Sequence, residues 1–124
     1  MSPSPLTRRV LFAVALLLFA GLGWTGIVEG LHQVAVAHTL GQRIQNISQV
    51  AYGFLSVLAM FTSFRGRRWR PPILASWAVC VALAGGLASV VWGGTTLLTG
   101  VVSGAASLLV ALAIIWLLRV GTAA

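Results

Sequence analysis

Four uncharged runs decide what this chain can become. Residues 10–28, 47–64, 73–92 and 97–118 contain no Asp, Glu, Lys, Arg or His. At about 1.5 Å per residue, each makes a helix of roughly 27–33 Å, the depth of a bilayer's hydrocarbon layer. In lipid the backbone must satisfy its own polar groups, and a helix does so within a single segment. The expected fold is therefore all-α, an integral membrane four-helix bundle of two antiparallel transmembrane hairpins forming one domain over 1–124. A polar shell for a soluble domain cannot be built from 7% charged residues against 59% hydrophobic ones. The first run follows Arg8 and Arg9 as a signal peptide would. Leu18, Phe19 and Ala20 make a poor cleavage site, so an uncleaved span is expected.

Arginine sets the orientation. The turn at 65–72 carries Arg65, Arg67, Arg68 and Arg70, and the net charge is +7 from eight arginines and one glutamate. These cations flank apolar spans instead of lining a solvated face, which argues against nucleic-acid binding. With both termini cytoplasmic, Arg8, Arg9, Arg119 and the four of the turn lie inside and only Arg43 lies outside. That asymmetry follows the positive-inside rule. The tryptophans are expected at the two interfaces, Trp69, Trp77 and Trp116 inside and Trp24 and Trp92 outside. Basic charge carried by arginine alone, amid abundant Ala, Gly, Leu and Val, suggests a GC-rich bacterial genome and hence an inner (plasma) membrane. The expected partners are the bilayer, with anionic headgroups at the arginine turn, and either a second copy or another membrane protein.

The outer polar segment, 29–46, holds the only acid and both histidines. Gly41 is expected to break the chain there, and Asn46 to cap the second helix with Gln49 reaching back as its capping-box partner. Pro71 and Pro72 suit a first helical turn. Residues 93–96 (Gly-Gly-Thr-Thr) form a tight turn with a capping threonine. Close packing in lipid calls for small residues. Gly100 and Gly104, with Ser107 beyond them, are expected to face Ala82 and Gly86, and Gly26 and Gly30 offer a similar surface on the first helix.

Glu29 is the residue singled out for chemistry. An intramembrane carboxylate is costly at the bilayer centre and much less so at the interface, so its depth decides its meaning. Glu29, His32 and His38 form the candidate polar or ligand site. His32 and His38, six residues apart, are about 240° apart around one helix and cannot share a metal ion. A di-iron site needs further carboxylates that this chain lacks, and a haem needs a histidine on another span. The expectation is thus no metal, no cofactor and no catalytic residue.

In size and in its early glutamate, Glu29, the chain is similar to the small multidrug resistance transporters, which would imply an oligomer using that carboxylate for coupling. Its outline, four helices with the longest loop after the first, looks like the DoxX-type membrane proteins. Glu29 falls late in its span and the arginine bias is strong, both departures from the transporters, and no motif carries residues across from either family. The expected function is a non-enzymatic accessory or interaction subunit of a membrane assembly. The competing expectation is a small oligomeric transporter or channel with Glu29 as its proton or cation coupling group.

Overall fold

A computed structural model describes residues 4–65 and 67–122, without the Arg67 side chain. The N-terminal tail at 1–3 and Gly66 of the arginine turn lie outside the described residues. The chain forms α1 (Pro5–Gln33), α2 (Leu40–Thr62), α3 (Arg70–Val91) and α4 (Leu97–Thr122), with short 3-10 turns at Val34–Val36 and Arg67–Trp69. It is an all-α bundle, and all four helices are long and apolar enough to cross a membrane.

Contacts between neighbours run antiparallel all the way round. Gly30 of α1 meets Val50 and Gly23 meets Val57, so α2 descends as α1 rises. Gln45 pairs with Ala84 and Ser56 with Trp77 across α2 and α3. Gly86 approaches Gly100 and Gly104 across α3 and α4, and Gly121 of α4 lies against Phe12 of α1. Arg8, Arg9, Arg65, Arg68, Arg70 and Arg119 consequently share one end of the bundle, and Arg43 stands at the other.

The small residues sit where the helices come closest. A methyl built on Gly26 would lie 2.8 Å from the Gln49 carbonyl oxygen and from the Gly53 Cα. On the other hairpin, a methyl on Gly86 would meet the Gly100 carbonyl at 3.1 Å, and one on Gly104 the Ala82 carbonyl at 3.4 Å. Ser107 is pressed against Gly85. The α1–α2 crossing is the tighter of the two.

Three local expectations are corrected. The second helix does not start at Asn46. Thr39 accepts from the Gln42 backbone N–H at 3.1 Å while the Gln42 side chain bonds back to the Thr39 N–H at 3.3 Å, a complete capping box about two turns earlier. Gly41 is therefore helical and lets Val91 of α3 come close. The polar segment 29–46 is mostly helical: α1 continues to Gln33, and only a short turn separates it from α2. Finally, Trp77 does not belong to an aromatic belt. It is fully buried, its ring lies 4.8 Å from that of Phe19, and its indole N–H donates to the Ser56 hydroxyl at 2.7 Å. A buried indole needs that acceptor.

Other ends follow ordinary chemistry. Ser4 caps α1 with Pro5 in the first turn, and the Thr96 hydroxyl accepts from the Thr99 N–H to cap α4. Gly94, at φ 64°, supplies the left-handed step of the turn between α3 and α4.

Candidate functional site

The closed end of the bundle is near the arginines. Ala15, Phe19, Leu74, Trp77, Ile114 and Leu118 pack there into a continuous core, and Phe12 meets Gly121 across α1 and α4. Toward the other end α1 leans on α2 through Gly26 and Gly30, while α4 leans on α3 through Gly100 and Gly104. The remaining seam, between α1 and α4, is left with a cleft of about 590 Å³ lined by all four helices. That volume is in the range of small-molecule sites.

The cleft is graded along its length. Its part away from the arginine end is lined by Glu29 and Gln33 of α1, Gln45, Gln49 and Tyr52 of α2, and Trp92 at the end of α3. Its inner part is apolar, with Leu22, Val81, Val110 and Ile114 above the Trp77 ring. Twenty residues separate Arg9 from Glu29 and twenty separate Gln45 from Arg65. At about 1.5 Å each, Glu29 and Gln45 stand roughly 30 Å above the arginine level. Glu29 thus lies about one hydrocarbon thickness from the arginine end, with the apolar part of the cleft between the two levels.

The polar side chains are fixed by bonds between helices. The Gln45 amide N–H donates to the Ala84 carbonyl at 3.2 Å and to Gln49 Oε1 at 3.3 Å, and its oxygen accepts the Trp92 indole N–H at 2.8 Å. Gln42 ties α2 to the Val91 carbonyl at 3.2 Å. Asn46 donates to the Gly30 carbonyl at 2.6 Å. The Val34 N–H bonds Leu31 in this last turn of α1, so Asn46 serves as a side-chain cap for its C-terminus. Gln45, Gln49 and Asn46 are 3%, 6% and 5% exposed, so these amides belong to the core of the bundle although the span is hydrophobic. The Tyr52 hydroxyl meets Thr25 and lies within electrostatic reach of Glu29. One acceptor is unused: Gln33 Oε1 is buried with no hydrogen-bond partner among the described residues.

The residues proposed from sequence are separated. Glu29, His32 and His38 are all exposed, and of the three only Glu29 lines the cleft. The His38 backbone N–H donates to Gln42 Oε1 at 3.0 Å. Among the described residues no three His, Cys, Asp or Glu side chains come together to hold a metal ion. At the basic end Arg68 lies 5.1 Å from the Trp69 ring centre, Arg70 donates to Thr122 at 3.2 Å, and Arg65 is exposed.

Gln33, Gln45, Gln49, Tyr52 and Trp92 were not proposed as site residues from sequence, where Gln49 figured only as a cap partner and Trp92 only as an interface residue. The signal was there on α2: Gln45, Gln49, Tyr52 and Ser56 recur every three or four residues, one polar stripe along an apolar helix. Comparison with protein-family models, with curated proteins and with solved structures returned no match.

Proposed function

We propose that the chain is a non-enzymatic accessory protein of a bacterial inner membrane, and that it works by holding an amphiphilic molecule in the cleft between α1 and α4. The observation that carries this is the grading of one continuous cleft, polar at the end away from the arginines and apolar toward Trp77. Such a lining matches a molecule with a polar head and a hydrophobic body. The set of groups suits recognition: amides and aromatic rings are fixed by their own hydrogen bonds, with one carboxylate beside them. Loss of the cleft tests it. Ala88→Trp places an indole in the lining, and native mass spectrometry from nanodiscs should show a bound small molecule on the wild type and none on the variant. An equal adduct on both proteins would remove the proposal.

The arginine-bearing end is the cytoplasmic one in this proposal, supported by the charge asymmetry between the two ends. A green fluorescent protein fused after residue 124 should fluoresce, and alkaline phosphatase in the same place should stay inactive. The opposite pattern would invert the orientation and put the cleft mouth in the cytoplasm.

One observation favours a transporter as the second reading: the sole carboxylate lines the cleft. In an oligomer it could couple proton movement to uptake. Under an imposed pH gradient, wild-type proteoliposomes would then acidify faster than Glu29→Gln ones. Equal, background-level rates would end that reading.

A further inference from the structure

We infer that the head of the molecule held in the cleft is an uncharged hydroxyl, as on a long-chain alcohol or a monoacylglycerol. This rests on the amphiphile-binding role proposed above and adds the chemistry of the head. Three features of the lining point to it.

First, the interior of the cleft carries no charge. Glu29 is exposed, and every other residue of the lining is uncharged. A charged head drawn in past Glu29 would give up its water and meet no opposite charge among the amides.

Second, donors stand unused on the walls. Thr25, Ser48, Ser56 and Ser63 each turn their hydroxyl back to a carbonyl one turn earlier in their own helix. That is the ordinary way for a hydroxyl to be satisfied within an apolar helix. Ser107, which lines the cleft against Gly85, makes no such bond and no other with the described residues. Gln49 is only 6% exposed and accepts from Gln45 at 3.3 Å, but its own amide N–H groups donate to no described residue. Both donors call for an oxygen in the cleft. The Gln45 amide does not compete for it, because Ala84 and Gln49 take its N–H groups and Trp92 its oxygen.

Third, one acceptor is unused on the same lining. Gln33 Oε1 has no partner among the described residues, and Gln33 as a whole is only half-buried, so a small rotation of its side chain presents that oxygen to an occupant. A hydroxyl donates one hydrogen bond and accepts two, so one atom serves the donors of Ser107 and Gln49 and the acceptor of Gln33 together. An ether or ester oxygen would take the donors and leave Gln33 unpaired.

The test uses the full chain in phosphatidylcholine nanodiscs with four radiolabelled probes: dodecanol, dodecyl methyl ether, dodecyltrimethylammonium and dodecyl sulfate. Empty nanodiscs are subtracted, and occupancy is read against each probe's mole fraction in the bilayer. Dodecanol should saturate at about one per chain and bind at least about fivefold more tightly than its methyl ether, the effect of one hydrogen bond. Both charged probes should bind at least about tenfold more weakly than dodecanol. Gln33→Leu should weaken dodecanol about fivefold and leave the ether unchanged. Ser107→Ala, which removes only an unused hydroxyl, should weaken both alike by about threefold. An ether or a charged probe that binds as tightly as dodecanol would overturn the inference on the wild type alone. A preference for dodecanol that persists undiminished in Gln33→Leu would overturn it through the acceptor. Saturable binding of about one probe per chain with no preference for the alcohol would sink the assignment of the head and leave the amphiphile role standing. No saturable binding of any of the four would remove both.

Discussion

Leucine at Gly53 should prevent the bundle from forming in its native arrangement, and alanine there should already destabilise it measurably. A Cβ on Gly53 would lie 2.7 Å from the Ile27 backbone nitrogen, and one on Gly26 would lie 2.8 Å from the Gly53 Cα. The opposing atoms are backbone, so no side-chain rotation can relieve the overlap and the two helices must move apart. Overpacking of this kind costs about 1–3 kcal/mol for a small group and more for a branched one. The cost spreads, because separating α1 from α2 also breaks the 2.6 Å bond from Asn46 to Gly30. Gly21→Ala is the control. Nothing lies within 4 Å of a Cβ at that position, so the change should only remove glycine's penalty in a helix, worth about 0.5–1 kcal/mol. Thermal melts in a mild detergent would show Gly53→Leu without a wild-type-like transition and Gly21→Ala at or above the wild-type midpoint. A wild-type midpoint for Gly53→Leu would refute the crossing.

Trp77→Ala should cost about 3–5 kcal/mol, the range for emptying a buried aromatic site. Trp77 is among the largest fully buried side chains, touches Phe19, and forms the floor of the cleft. Its loss would therefore remove stability and deepen the cleft together. Ser56→Ala separates packing from hydrogen bonding. The Ser56 hydroxyl donates to the Tyr52 carbonyl at 2.7 Å and accepts from the Trp77 indole, so alanine leaves that indole unpaired at a cost of about 1–3 kcal/mol. The expected order of melting temperatures is wild type, then Ser56→Ala, then Trp77→Ala. Fluorescence gives a second readout, since Trp77→Phe should remove the emission component best shielded from quenchers. Ser56→Ala melting below Trp77→Ala would contradict this packing.

Much of the architecture was legible because lipid leaves few options. Long uncharged runs must be helices, and proline, glycine and threonine mark their ends, as at Pro71 and Thr96. The start of α2 was misplaced because two candidate caps compete. Asn46 with Gln49 fits the capping pattern as well as Thr39 with Gln42, and only contact with Gly30 and Gln45's bond to Ala84 explain why the later pair is buried. Trp77 was misassigned for a related reason. Distance from the arginines gives a tryptophan's depth along the helix, but not whether it faces lipid or the neighbouring helices. Glu29 could be singled out as the sole acid. The cleft could not, since it depends on α1 and α4 each leaning on a different partner, a property of pairs of helices that no single span encodes.

The amides on α2 bear on how the protein enters its membrane. α2 is the least hydropathic of the four helices, at a mean hydropathy of 1.2 against 2.0–2.5 for the others, and Gln45, Asn46 and Gln49 account for much of that deficit. Their partners are emitted from the ribosome at different times: the Gly30 carbonyl precedes α2, but Ala84 and Trp92 arrive with α3. Until α3 is made, Gln45 has Gln49 but lacks its Ala84 and Trp92 partners. The second span is therefore a poor independent membrane segment. Its insertion has to be completed by the third, which makes the middle pair of helices, across the arginine turn, the unit on which membrane integration depends.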